Sequence, residues 1–366
     1  MKLICHRLVL AIITSMLACA SSQSFAISET PATESPAIPS PGFQAWQSGP
    51  SSVMGQPLAG GLWYPAAVSG PGISKVLAQG PVFHGEPVRE DASIRPGRWP
   101  LVLVSHGIGG HWQSLSWLEA GLAQQGAVVL AVNHPGSTFG DYDMRRSLDH
   151  GSRVRDLQLA MNTVLADPAL SSHIDPDRIY VVGFSFGGWT ALSIGGLRGD
   201  LRAYASYCAN SGHRHCRDIA RAGIDLLQLD EALWNRSYRD ARVKAVAAID
   251  PAFHQGLTQS DAQDMVGSVV LIGLGTGAGR LPDTDFSPGK SDLATILHEA
   301  HIEVLAPAMH FSALGLCQPK GAQMLADDGD DPVCTDPPGT DRAALHDHII
   351  QVLARQWHLG TQASSR

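Results

Sequence analysis

The sequence predicts a mostly parallel, doubly wound α/β sheet carrying one inserted segment. Three features lead there: aliphatic runs that are apolar at consecutive positions, helical stretches alternating with them, and polar or glycine-rich turns where the runs end. The runs are 101–104, 128–132, 179–182, 243–249 (broken only by Lys244), 269–272 and 302–305, the last less purely apolar. A strand covered on one face alternates apolar and polar residues, whereas one covered on both does not, so these runs read as buried parallel strands. Helical stretches are predicted at about 113–125, 152–166, 189–196 and 341–357. This alternation gives parallel neighbours joined by helices, and in open sheets of that class the chemistry lies beyond the carboxyl ends of the strands.

The rhythm breaks between residues 197 and 242, which show no strand pattern and hold Cys208, Cys216 and Trp234. A long excursion between two core strands is predicted to be a functional lid or cap, or else a surface decoration held by a disulfide.

Residues 1–26 read as an export signal. Lys2 and Arg7 begin it, an apolar stretch from Leu8 to Ala20 follows, and Ser24-Phe25-Ala26 places small residues where a signal peptidase cuts. The apolar stretch is too short to span a bilayer. Met16-Leu17-Ala18-Cys19 fits a lipid-anchoring site poorly. Residues 27–52, rich in Ser, Thr, Pro and Glu, are predicted to be a flexible linker. That leaves 53–366 as the catalytic domain of a periplasmic or secreted protein with no transmembrane span in its mature form. Beyond the signal remain Cys208, Cys216, Cys317 and Cys334, an even number suited to two disulfides in an oxidising compartment. Pairing sequence neighbours is simplest, though three connectivities exist. The net charge of -8 offers no basic footprint for nucleic acid.

Gly183-Phe184-Ser185-Phe186-Gly187-Gly188 directly follows one run and precedes a helical stretch. A serine on such a sharp strand-to-helix turn has its hydroxyl lifted above the sheet, and side chains two residues to either side would collide there. Ser185 is therefore the candidate nucleophile. A serine hydroxyl needs a base to take its proton. His310, after the last strand and a short loop, is the candidate; His301 precedes that strand, and His346 and His348 lie on the terminal helix. The third member orients the imidazole. Position favours Asp250, at the end of 243–249, over Asp283 and Asp285 in the loop after 269–272. Asp250 also reads as a helix cap ahead of Pro251. A tetrahedral oxyanion needs two N–H donors: the amide of Phe186, next to the nucleophile, and that of Ile108 in the glycine-rich loop 105–110. His106 is read as scaffold of that loop. Gly107, Trp112 and Trp189, adjacent to these loops, are candidate substrate-binding residues, with core packing the ordinary alternative for the tryptophans.

Together these segments resemble the platelet-activating-factor acetylhydrolase group, and the neighbouring dienelactone-hydrolase-like proteins, of the α/β-hydrolase superfamily. Ser105-His106-Gly107-Ile108-Gly109 is similar to the group's oxyanion loop, Gly183–Gly188 to its nucleophile elbow, and Ala247-Ala248-Ile249-Asp250-Pro251-Ala252-Phe253 to its acid segment. Met309-His310-Phe311 stands where the group has its histidine. The resemblance spans about 60–316 and selects Asp250 as the acid. It implies a serine carboxylic-ester hydrolase working through an acyl-enzyme on short-to-medium acyl or lipid-like esters, with no cofactor and no metal needed for the chemistry. Two departures limit it. The 197–242 insertion separates Ser185 from Asp250 by 65 positions, so acyl preference does not carry over. Dienelactone hydrolases use a cysteine nucleophile, so lactone opening is not implied. An acyltransferase or peptidase on the same fold, and an inactive exported binding protein, remain the alternatives.

Two other clusters are set aside. Cys208, His213, His215 and Cys216 crowd too closely for tetrahedral zinc, and a disulfide suits an exported chain better. The acidic stretch 327–331 lacks the twelve-residue calcium-loop pattern and reads as a solvated loop.

Overall fold

Ten strands form one sheet in a computed structural model that describes residues 39–49 and 55–360. The expected signal, residues 1–26, and much of the expected linker lie outside the described residues. In chain order the strands are β1 (Gly42–Gln47), β2 (Ala59–Tyr64), β3 (Ile73–Leu77), β4 (Glu86–Glu90), β5 (Trp99–Ser105), β6 (Val128–Val132), a two-residue pair β7 (Ser137–Thr138) and β8 (Asp141–Tyr142) outside the main sheet, then β9 (Ile174–Phe184), β10 (Val243–Ile249), β11 (Val269–Leu274) and β12 (His301–Leu305). Their spatial order is β12-β11-β10-β9-β5-β6-β2-β1-β4-β3.

The six predicted runs fall in β5, β6 and β9 to β12, and all five pairings among them are parallel. Their consecutive apolar residues are explained by burial on both faces. Leu101, Leu103 and Val181 join the core beneath the helices His150–Ala166 and Phe186–Ile194. Val102, Val104 and Val182 face the opposite core, beneath Ser116–Gln124 and Arg342–Gln356. Alternate side chains thus feed two cores, each fully buried aliphatic contributing about 1.5–3 kcal/mol of hydrophobic stabilisation. β12 sits at the sheet edge, where Ile302 and Val304 stay exposed, hence its weaker apolar signature.

The linker expectation requires correction at its carboxyl end. Residues 42–47, inside the 27–52 stretch, form β1, which pairs antiparallel with β2 and parallel with β4. Phe43 and Trp46 are buried there. The Pro- and Ser-rich composition of the surroundings masked two aromatic anchors able to offset the ordering cost. The insertion folds as helices, Leu201–Ser211, Arg214–Arg221 and Glu231–Trp234, with a 3-10 turn at Leu226–Gln228.

Register is what builds a site. Ser105 pairs with Gly183 across β5 and β9, and Ile249 pairs with both Phe184 and Ile272. The carboxyl ends of four neighbouring strands are thereby level, and the loops that leave them converge.

Candidate active site

Ser185, His310 and Asp250 meet above those strand ends. His310 Nε2 lies 3.1 Å from Ser185 Oγ, and His310 Nδ1 lies 2.6 Å from Asp250 Oδ2. All three are nearly enclosed. Asp250 Oδ2 also accepts the Thr284 hydroxyl at 2.7 Å, and Oδ1 accepts the Leu274 amide at 3.0 Å. A buried carboxylate is tolerable only when its lone pairs are so engaged. An imidazole bonded to a hydroxyl through one nitrogen and to a carboxylate through the other can take the hydroxyl proton while its charge is held in place.

The elbow explains its own glycines. Ser185 has φ 55° and ψ -118°, a region that non-glycine residues rarely enter. A Cβ on Gly183 would lie 2.1 Å from the Gly187 carbonyl oxygen, and one on Gly187 would lie 1.8 Å from that of Ser105. The Ser185 amide donates to Ile249 O, and the Ala252 amide donates to Ser185 O, so the turn is pinned to the acid-bearing strand end. Phe186 opens its helix, where an amide has no intrahelical acceptor. Gly107 stands against Ser185: a Cβ there would lie 3.5 Å from the serine Cβ. In the same loop the Gly109 amide donates to Ser137 O and the Gly110 amide to Gly107 O.

Beneath this loop lies a polar network that sequence reading missed. Arg153, fully buried, reaches Ser105, His106, Ser137 and Thr190. His134 bonds Ser105 Oγ through Nε2 at 3.0 Å and Asp156 Oδ2 through Nδ1 at 3.0 Å. Burial, with Arg153 nearby, pushes His134 and His106 well below the ordinary histidine range. Burial raises the Asp156 carboxyl to about 7 and lowers Arg153 to about 9. His134 is thus neutral, donating from Nδ1 and accepting the Ser105 hydroxyl at Nε2. The available signal was a helix stripe, Val154, Leu157, Met161 and Val164, with Arg153 and Asp156 set among apolar positions.

The insertion borders the site. Phe253, three residues beyond Asp250, packs on Phe186 with ring centres 4.4 Å apart. Tyr204, His215 and Trp234 of the insertion pack on Phe253 at 5.1, 5.2 and 6.1 Å. Tyr207 and His213 both bond Asp283 Oδ1, next to Thr284. Asp283 therefore anchors the insertion, and Asp285 pairs with Arg280; neither reaches His310. A disulfide joins Cys208 to Cys216, which removes both thiolates as zinc ligands, and a second joins Cys317 to Cys334.

The two tryptophans do not meet at the site. Trp189 is completely enclosed, edge-on to His150 at 5.5 Å, so it offers no surface to a ligand and belongs to the core. Trp112 stacks on Phe43 at 5.9 Å and meets Trp63 edge-on at 5.7 Å, over the β1–β2 hairpin.

Comparison with known proteins finds partial likenesses. A family profile described as the prolyl oligopeptidase family matches residues 113–211, and one described as platelet-activating factor acetylhydrolase, isoform II, matches 75–142. The chain belongs to the α/β-hydrolase superfamily. Over 75–142 it is platelet-activating-factor-acetylhydrolase-like within that superfamily. Among curated relatives, Lipase 1 of Moraxella sp. (strain TA144) is 33% identical over 102 residues, 28% of this chain and 29% of the lipase. A cutinase of Thermobifida alba is 33% identical over 105 residues, 28% of this chain and 32% of the cutinase. A bis(hydroxyethyl) terephthalate hydrolase of Streptomyces coelicolor is 28% identical over 140 residues, 38% of this chain and 41% of that protein. The matched stretch is thus about a third of the lipase and of the cutinase. Among solved structures, a ferulic acid esterase from Streptomyces cinnamoneus aligns with TM-score 0.48 and 20% identity, covering 92% of this chain and 96% of the esterase. A dienelactone hydrolase-like promiscuous phosphotriesterase from metagenomic libraries aligns with TM-score 0.47 and 14% identity, covering 87% of this chain and 98% of the other.

Proposed function

We propose that the protein is a serine carboxylic-ester hydrolase acting through an acyl-enzyme. The observation that carries this reading is the single imidazole bridging Ser185 Oγ at 3.1 Å and Asp250 Oδ2 at 2.6 Å. His310 Nε2 takes the proton of Ser185 as Oγ attacks the ester carbonyl. The imidazolium then protonates the leaving alkoxide, and the neutral ring activates a water that releases the acid. Asp250 holds the Nδ1–H tautomer and the cationic ring. The amides of Ile108 and Phe186 receive the oxyanion, for which the loop beside Gly107 and the free helix start at Phe186 provide the backbone.

The ester is a small molecule with a short-to-medium acyl or lipid-like group, and the insertion against Phe253 and Phe186 sets how large an acyl group enters. The curated relatives named for lipase, cutinase and terephthalate-ester hydrolysis support the ester class. Two disulfides suit an oxidising compartment, which supports export to the periplasm or medium. Among the described residues no helix is long and apolar enough to cross a membrane.

Ser185→Ala should reduce turnover of p-nitrophenyl acetate and butyrate by several orders of magnitude; wild-type-like turnover would remove the assignment. Rates across acyl chains of two to sixteen carbons would locate the preferred substrate. A second reading, serine peptidase, draws on the prolyl-oligopeptidase-family match over 113–211. Peptide p-nitroanilides turned over faster than the matching esters would favour it.

A further inference from the structure

Arg153 is a fully buried cation that the chemistry above leaves unused. Burying a guanidinium is costly unless its donors are all engaged. Here each of its three nitrogens donates, through four bonds in all, yet among the described residues no carboxylate bonds it directly; Asp156, whose charge acts on it, is bonded to His134. Its partners are Thr190 Oγ1 from Nε at 3.1 Å, Ser137 Oγ from Nη1 at 2.7 Å, Ser105 Oγ from Nη2 at 3.1 Å, and the backbone carbonyl of His106 from Nη2. The guanidinium carbon also lies 4.7 Å from the centre of the Phe186 ring. Ser105 and His106 lead into the loop of Ile108, Ser137 accepts the Gly109 amide, and Thr190 and Phe186 belong to the helix that follows Ser185. One side chain thereby links the two backbone segments that carry the proposed oxyanion donors.

The loop's peptide planes follow from this. Arg153 fixes the His106 carbonyl. The next carbonyl, that of Gly107, accepts the Gly110 amide at 3.1 Å and His106 Nδ1–H at 2.7 Å. In a planar trans peptide the N–H points opposite to the C=O, so holding Gly107 O turns the Ile108 N–H to the other side. Burial and the Arg153 charge keep the His106 ring neutral, so the Gly107 bond places its single proton on Nδ1.

We propose that Arg153, working through His106, is a positioning residue that holds the Ile108 N–H in the orientation that receives the oxyanion. The proposal rests on the ester-hydrolase reading of Ser185. It places the effect in kcat, because the oxyanion develops in the tetrahedral intermediate and the transition states that flank it and is absent from the bound ester.

The test uses the full chain with Arg153→Lys, Arg153→Met and His106→Phe, each assayed on p-nitrophenyl butyrate with active sites counted by fluorophosphonate labelling. Removing one oxyanion donor costs about 10²–10³-fold in kcat. Arg153→Met and His106→Phe should fall by about 10²-fold in kcat per labelled site, with KM changed little. Affinity for a boronic acid that forms a tetrahedral serine adduct should fall in parallel. Arg153→Lys, which keeps the charge and part of the donor set, should lie between. Should Arg153→Met not fold, Ser137→Ala and Thr190→Val, which each delete one partner, should show smaller losses of the same kind. Unchanged kcat per labelled site in the variants that fold, alongside an inactive Ser185→Ala, would overturn the Arg153 role alone. An active Ser185→Ala would overturn the underlying reading instead. Equal losses in kcat and in labelled fraction, with boronate affinity unchanged, would reduce Arg153 to a structural residue.

Discussion

Ser185 occupies a backbone conformation that costs on the order of 1–3 kcal/mol, and its neighbours are chosen so that the cost buys access. Gly187 is the stricter of the two elbow glycines. Its absent Cβ would lie 1.8 Å from Ser105 O and 2.7 Å from His106 O, both backbone atoms that cannot move without disturbing β5 and the loop that follows it. Gly187→Ala should therefore lose more than about 3 kcal/mol or fail to fold. Gly109 offers the contrast. It has φ +66° but open space where a Cβ would go, so Gly109→Ala should cost only about 1–2 kcal/mol, the left-handed backbone penalty alone. Urea unfolding midpoints of the two variants test this, and similar losses in both would contradict it. At this scale the sequence was informative where a residue type is forced. The elbow glycines, Ser185 and the histidine after the last strand are dictated by local geometry and chain order. Thr284 was not legible, since its partner Asp250 lies 34 positions away and nothing local marks it; Arg153 had only its place on the apolar stripe of its helix, and its partner Ser105 lies 48 positions away. The acid was partly legible: Asp250, Asp283 and Asp285 all follow strand ends, position and the resemblance favoured Asp250, and of the three it is Asp250 that His310 contacts.

Elements show a similar division. Each consecutive apolar run became a strand because burial on two faces leaves a strong signature. β3 and β4 left little trace: β3 is exposed at four of its five residues, as befits an edge. The insertion was visible as a break in rhythm, but its helices were not, since they are short and depend on tertiary anchors at Phe253 and Asp283. The Cys208–Cys216 bridge closes a loop of sequence separation 8 between two of those helices. In the chain-entropy account such a bridge contributes about 2–3 kcal/mol. Changing both cysteines to serine should loosen the insertion locally while leaving the sheet intact. Limited proteolysis should then cut within 197–242 at least about tenfold faster, the rate following the local opening equilibrium, while fluorophosphonate still labels Ser185. Unchanged cleavage there would show that Tyr204, Trp234 and Asp283 hold the insertion without the bridge.

Several imidazoles are buried among the described residues, and they govern the response of the molecule to acid. Burial lowers His150, His254 and His346 to about 4, and holds His106 and His134 well below their ordinary value. In the unfolded chain all five titrate near 6.5. Below that pH the unfolded state binds more protons than the folded state, so stability falls as pH drops from about 6.5 towards 4. Two buried carboxyls act in the opposite sense. Asp156, raised to about 7, and Glu119, raised well above its ordinary value, keep protons in the fold that the unfolded chain gives up above about 4. Five groups outweigh two, and the net expectation is a urea midpoint that declines from pH 7 to pH 5. His346 links this response to the site. Its Nε2 donates to Ser312 O at 2.9 Å, and its ring stacks on Trp117, whose Nε1 donates to Ala313 O at 2.9 Å. The terminal helix thus backs the turn that begins at His310. His346→Gln keeps a donor for Ser312 but cannot titrate, so its midpoint should decline less steeply than the wild type between pH 7 and pH 5. A wild-type midpoint that is flat over that interval would mean that the two carboxyls offset the histidines, and a His346→Gln midpoint that declines as steeply as the wild type would mean that His346 takes up a proton in the fold as readily as in the unfolded chain.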